Sequence, residues 1–335
     1  MTGVRLTTTH HLDADAFADI SRLLDAAAAS DGFDALSEHK RLELTHQRHR
    51  AAAGAGGSGG AGGSEFAAVF ARVDDRAEPV GYAQLNPAGT DGALGLELVV
   101  DPEFRDPEAG VADALLGAAV EEAGRLSGNH GPRTLRYWAS HVTPQHDSRA
   151  AAHGLRPERD LIQMRRPIPI EDPRPKVVTR AFVPGRDEDA WLEVNNRAFA
   201  THPEQGNWTL DTLLEREAEP WFDPGGFRLY EQDGRLAASC WTKVHANTSP
   251  PMGEIYVISV DPDFQGQGLG RALTVAGLDS LAGTGLRVGM LYVDGDNPAR
   301  SLYRSMGFVE DHIDRAYTGT VGPSRPAHSS GSEDR

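Results

Sequence analysis

The run EIYVISVDPDFQGQGLGRAL, residues 254–273, gathers most of the side chains and backbone that could do chemistry in this sequence. A buried-type strand ends at Val260, and Gln265-Gly266-Gln267-Gly268-Leu269-Gly270 leads from it into a helix. Glycines let a backbone approach a ligand closely, and free N–H groups at a helix start form an anion site. A plain tight turn is the alternative. A Rossmann dinucleotide loop would need three glycines after the first strand and an acid about 20 residues on; this loop follows a late strand. A kinase-type P-loop is excluded, because neither GKS nor GKT occurs. Glu254 opens the strand, and period-two alternation puts it on the face of Tyr256, Ile258 and Val260. A carboxylate on a central strand beside a cleft can act as a general base, and a salt bridge at the strand's edge is the alternative. Downstream, LYVDGDNPARSLYRSMGF (291–308) makes Asn297 a helix cap and Pro298 the first helical residue, with Tyr303 further along the helix.

Other reactive residue types offer less. Cys240, the one cysteine, lies on an apolar strand and reads as a small buried side chain; alone it excludes an internal disulfide or a cysteine-based zinc site. The 13 histidines include no metal-binding spacing, so no metal is expected. Only three of the 33 basic residues are lysines, Lys40, Lys176 and Lys243, which makes each a little more informative than usual. Acidic residues outnumber basic ones 49 to 33, giving a net charge of -16 that argues against nucleic acid or an anionic membrane as partner. No apolar run reaches a membrane span, and the N-terminus lacks a signal-peptide core, so a soluble cytoplasmic protein is expected.

The elements that must position these residues occur twice along the 335 residues. Each half reads as a helix, strands, a helix, a strand, then a last helix and strand. VVDPEFR (99–105) matches SVDPDFQ (259–265), and Gly154-Leu155 matches Gly307-Phe308. In the second half, FRLYEQ (227–232), Asp233-Gly234 and RLAASCWTKV (235–244) predict a hairpin. Residues 51–64 contain only Ala, Gly and Ser and read as a flexible insertion. The expected division is a first domain over 1–166, a proline-rich linker over 167–176, a second domain over 177–319 and a disordered tail over 320–335. The fold class is α/β, a duplicated domain with a mixed, mostly antiparallel sheet flanked by helices.

The pattern Gln265-x-x-Gly268-x-Gly270, followed by Asn297, Leu302-Tyr303 and Gly307-Phe308, resembles the GNAT acetyltransferases over about 180–318. Asn297 and Tyr303 stand one residue closer than in a common form of that family. The resemblance implies two tandem GNAT-fold domains and acetyl-CoA as co-substrate. It implies a binding site made by Ile258, Ser259, Val260, Gln265, Gly266, Gln267, Gly268, Leu269, Gly270, Arg271, Asn297, Pro298, Ala299, Arg300, Ser301 and Leu302. Leu98, Val99 and Val100 are the matching cofactor-strand positions of the first half. That half is degraded: its loop reads RDPEAGVA, and Leu94, Pro144 and Ala150 stand where Glu254, Asn297 and Tyr303 would be, so it is expected to be non-catalytic.

A degraded copy beside an intact one, with VNNRAFATHPEQGNW, SCWTKVH and LYVDGDN, resembles the mycothiol synthases of actinobacteria across both halves. That family implies acetylation of the cysteinyl amine of cysteinyl-glucosaminyl-inositol; a monomer is expected, because the duplication already supplies an internal domain pair. Glu254 is then the general base, and Tyr303 the acid that protonates departing CoA. Glu38, Glu204, Lys243, Glu254 and Tyr292 become acceptor contacts. Alternatives are a GNAT enzyme acting on protein N-termini or aminoglycosides, and a non-catalytic acyl-CoA sensor.

Overall fold

Amphipathic helices and strands alternate in the order the sequence predicts, with further elements added, among them a 15-residue helix over Glu38–Ala52. The computed structural model describes residues 3–52, 65–88, 91–128, 131–171, 177–201 and 205–322. Residues 53–64 of the insertion, 172–176 of the linker, 323–335 of the tail, and Glu204 lie outside that set.

The first half contains β1 (Val4–Thr9), α1 (Ala14–Asp31), α2 (Glu38–Ala52), β2 (Ala67–Val73), β3 (Gly81–Ala88), β4 (Ala93–Val100), α3 (Val111–Ser127), β5 (Arg133–Ala139), α4 (Pro144–Ala152) and β6 (Arg156–Pro167). The second contains β7 (Arg180–Ala181), α5 (Glu188–Ala198), α6 (Leu210–Glu217), β8 (Phe227–Gln232), β9 (Arg235–His245), β10 (Met252–Val260), α7 (Leu269–Gly283), β11 (Val288–Asp294), α8 (Ala299–Ser305) and β12 (Val309–Val321). The predicted hairpin forms: Asp233 and Gly234 take φ +54° and +74°, the left-handed pair that a two-residue turn needs.

Packing divides the chain into Met1–Arg159 with the segment from Asp314, and Asp160–Ile313. In the first unit β1, β2, β3, β4 and β5 form a sheet, antiparallel except for β4 beside β5, and residues 315–321 of β12 complete it against β5. In the second, residues 161–167 of β6 pair with β11, followed by β10, β9, β8 and β7, with β10–β11 the parallel pair. Each half's last strand therefore completes the other half's sheet, which differs from the division expected at 167–176. A strand satisfies its backbone groups on whichever open edge it reaches, and sequence order does not fix that edge.

In the first unit α3 covers one face of the sheet, where Leu115, Leu116 and Ala119 bury against Val69, Leu85 and Leu135. Helix α1 supplies Ile20 and Leu23 to the other face. In the second unit α7 and α8 cover one face, with Leu273, Leu278 and Tyr303 against Cys240, Ile255 and Leu291. The opposite face carries an aromatic cluster in which Trp191 of α5 meets Phe227 and Trp241 at centroid distances of 5.4 and 5.7 Å.

Candidate active site

The second unit's site begins with a fault in a ladder. Glu254 pairs with Lys243 and Ile255 with Thr242, but Val257 then pairs with Trp241, so Tyr256 is an extra residue bulged out of β10. The bulge breaks the alternation. Tyr256 and Val257 both turn to the aromatic cluster, whereas Ile255, Ile258 and Val260 pack toward α7. The expected shared face of Glu254, Tyr256, Ile258 and Val260 is thus corrected: Glu254 shares the aromatic face with Tyr256, and Ile258 and Val260 lie on the other. Period-two counting fails because a bulge adds one residue to one strand only.

Pairing with β11 ends beside the bulge. Described pairs between β10 and β11 are Gly253–Gly289, Glu254–Met290 and Ile255–Leu291, although the strands run on to Val260 and Asp294. Beyond Ile255 the edge carrying Ile258, Ser259 and Val260 has no described pair with β11. Ser259 is fixed behind it by a buried chain, its hydroxyl 2.8 Å from that of Ser239, which accepts from Trp191 Nε1 at 2.9 Å.

At the end of β10 a short turn, Pro262–Phe264, leads to the glycine loop. Gly266 and Gly268 take φ +78° and +79°, and Gly268 precedes Leu269 of α7 with no side chain capping the helix's first N–H groups. That start suits an anion. The first unit's loop differs: Asp101 and Asp106 accept from the N–H groups of Glu103 and Glu108, so acids already fill its turns. Beside that loop Leu98, Val99 and Val100 lie beyond the last described β4–β5 pair, Leu96–Tyr137, and β4 has no bulge against β3.

Helix α8 closes on the loop from the other side. A Cβ at Gly270 would lie 3.8 Å from Leu302, Gln267 accepts from Gln232 at 3.4 Å, and Arg271 donates to Ser305 at 3.2 Å. Asn297 caps α8 by accepting from Ala299 N at 2.9 Å, ahead of Pro298 and Ser301. Arg300 is committed elsewhere, to Gly295 O and to Glu310 at 2.7 Å.

Glu254 is 7% exposed, and its Oε2 lies 2.7 Å from His245 Nε2. Lys243, opposite it in the ladder, holds its Nζ 4.4 Å from the Trp221 ring centre and 5.3 Å from that of Tyr256. Alternation along β11 puts Tyr292 on the face of Met290, beside Glu254; its hydroxyl accepts from Gln163 Nε2 at 2.7 Å. The structure thus brings Lys243, Glu254 and Tyr292 to one face of this sheet. Tyr303 lies on the other face, 6% exposed, its hydroxyl without a hydrogen bond among the described residues. Burial, with a smaller effect from Cys240, pushes that phenol up to about 12. Cys240 is fully buried, and burial raises its thiol to about 12, which suits an inert core residue and no nucleophile.

Glu38 opens α2 in the first unit, where the Glu97 carboxylate accepts from Ser37 N at 2.8 Å and Ser37 Oγ at 2.5 Å. Sequence reasoning missed His245 and the bulge. The hairpin register of β9 and β10 would have placed His245 diagonal to Glu254, but no residue type announces a bulge. Among the described residues no group of side chains could hold a metal ion, and no helix is long and apolar enough to cross a membrane.

Residues 189–308 match the acetyltransferase (GNAT) family model. Curated relatives named mycothiol acetyltransferase include one from Acidimicrobium ferrooxidans, 41% identical over 92% of this chain and 96% of its own length. Those of Thermomonospora curvata and Streptomyces coelicolor are each 43% identical over 88% of this chain and cover 91% and 89% of their own. Among solved structures, a GCN5-related N-acetyltransferase from Sphaerobacter thermophilus superposes with a TM-score of 0.66 at 23% identity, covering 96% of this chain and 97% of that one. A tandem GNAT protein from the clavulanic acid pathway gives 0.63 at 18% identity, covering 96% and 100%. These two show the tandem GNAT fold.

Proposed function

The chain belongs to the mycothiol acetyltransferase family, acetyl-CoA-dependent N-acetyltransferases of mycothiol biosynthesis, and from that premise we propose how its residues carry the reaction. Acetyl-CoA lies along the edge of Ile258, Ser259 and Val260, with its pyrophosphate on the N–H groups of residues 265–270 and the start of α7. Asn297 to Leu302 border its other side, and Arg271 supplies a nearby cation. In a chain with a net charge of -16, backbone N–H groups rather than a basic surface must hold those phosphates.

The acceptor is cysteinyl-glucosaminyl-inositol. Its amine approaches from the face carrying Glu254, Lys243 and Tyr292, whose carboxylate, ammonium and phenol suit an ammonium and sugar hydroxyls. For Glu38 and Glu204 the support is the family resemblance alone. An α-amino group titrates near 7.7–8.0, so Glu254 needs only modest basicity to take its proton. The free amine then attacks the thioester carbonyl, and N–H groups near Ser259 and Val260 receive the developing negative charge. Tyr303, from the opposite face, gives its proton to sulfur as the C–S bond breaks and recovers one from the nitrogen of the collapsing intermediate.

One observation supports this reading: Glu254 and Tyr303 lie on opposite faces of the sheet, and the described β10–β11 pairs end at Ile255–Leu291, next to Glu254. A thioester held there is reachable from both. The work needs one chain and no metal, and takes place in the cytoplasm, where acetyl-CoA is available. Glu254→Gln should lower kcat by about 10²–10⁴ while leaving the KM for acetyl-CoA within about twofold, measured by thiol release. A near-normal kcat would remove the carboxylate from the role of base.

A further inference from the structure

We infer that His245 is the proton outlet of Glu254, a relay residue through which the base is reset after each turnover; the inference rests on the reading of Glu254 as the base. Proton accounting sets the need. The acceptor enters as R–NH3+ and leaves as an amide with one N–H, so it loses two protons. One ends on the CoA thiol, and the other must reach water from a carboxyl group on a buried side chain.

The β9–β10 register provides the route. Met252 pairs with His245 and Glu254 with Lys243, so His245 lies diagonal to Glu254 on the same face. Its Nε2 is 2.7 Å from Glu254 Oε2, and its side chain is 20% exposed. Thr248 Oγ1 donates to the His245 carbonyl at 2.9 Å and fixes the end of the strand. Of the cations on this face, the Lys243 ammonium is drawn over Trp221 and Tyr256, and Arg165, opposite Met290, pairs with Asp311 at 3.0 Å; neither has a lone pair with which to take a proton. An imidazole is suited to the step because both its nitrogens exchange protons near neutral pH.

The step balances without a co-reactant. Protonated Glu254 gives its proton to Nε2 of the neutral ring, the carboxylate re-forms, and the imidazolium releases a proton from Nδ1 to water. Exchange with water restores the starting tautomer before the next cycle.

The test compares His245→Ala and His245→Gln in the full-length enzyme, because glutamine can still donate a hydrogen bond to Glu254 but cannot carry a proton. Both should lose roughly tenfold or more in kcat, with the KM for acetyl-CoA within about twofold of wild type. Added imidazole should restore the alanine variant in proportion to its concentration. Wild-type turnover in His245→Gln, or an alanine variant indifferent to imidazole, overturns the relay. Failure of the base reading looks different: Glu254→Gln would then itself turn over normally.

Discussion

Tyr303→Phe should separate stability from chemistry. The ring is 6% exposed and packs edge-on to Phe308 with centroids 5.8 Å apart, contacts that phenylalanine keeps. The lost hydroxyl makes no hydrogen bond to a described residue, and it is not one of the fully buried unpartnered polar atoms. Removing it should therefore change the unfolding free energy by no more than about 0.5 kcal/mol. The chemical effect is much larger. A phenol pushed up to about 12 is fully protonated at neutral pH, so wild type always holds the proton that sulfur needs. Without it the thiolate must leave unprotonated, and kcat should fall about 10²–10⁴, equivalent to roughly 3–5 kcal/mol of barrier. Urea unfolding and thiol-release kinetics on the same preparation give both numbers. A kcat within about threefold of wild type would refute the acid role. A loss of stability above ~2 kcal/mol would instead show that the hydroxyl has a structural partner.

Three further outcomes follow from other parts of the molecule. Gly268→Ala meets no atom within 4 Å but must hold φ +79°, which costs roughly 1–2 kcal/mol, so the KM for acetyl-CoA should rise about 5–30-fold with little change in kcat; an unchanged KM would take the loop out of cofactor binding. Lys40, buried in the first unit, donates to Gln84 O, Asn86 Oδ1 and Gly95 O at 3.1, 2.5 and 2.6 Å, so Lys40→Met should cost about 3–5 kcal/mol in urea, and a loss below ~1 kcal/mol would contradict the pairing. Burial lowers the Lys40 ammonium from 10.5 to about 8, so the unfolded chain binds the extra proton between those values; wild-type stability relative to the variant should rise over that window by up to ~3 kcal/mol, and a flat difference would refute the shift.

Features set by local chemistry were legible in the sequence. Asp233-Gly234 named its turn, the glycines of 265–270 named a loop of left-handed and uncapped backbone, and Asn297-Pro298 named a helix start. The repeat of VVDPEFR as SVDPDFQ named the duplication. Features set by pairing were not. The bulge at Tyr256 exists only as an offset between β9 and β10, and it moves Ile258 and Val260 to the face opposite Glu254. The exchange of β6 and β12 depends on which sheet edge each strand meets. Nothing in the sequence places Lys40 inside; three acceptors from β3 and β4 surround it there. His245 is silent for the same reason, since its partner lies nine residues along the chain and one strand away.

The central claim is acetyl transfer to one amine, and the most direct test supplies acetyl-CoA with cysteinyl-glucosaminyl-inositol, a peptide amine or an aminoglycoside. Thiol release is followed, and the acetylated nitrogen is located by mass spectrometry. The account predicts one CoA released per amide formed on the cysteinyl amine, with kcat/KM at least about 100-fold above the other acceptors. Release no faster than acetyl-CoA hydrolysis with that acceptor, or preference for either of the others, would contradict it.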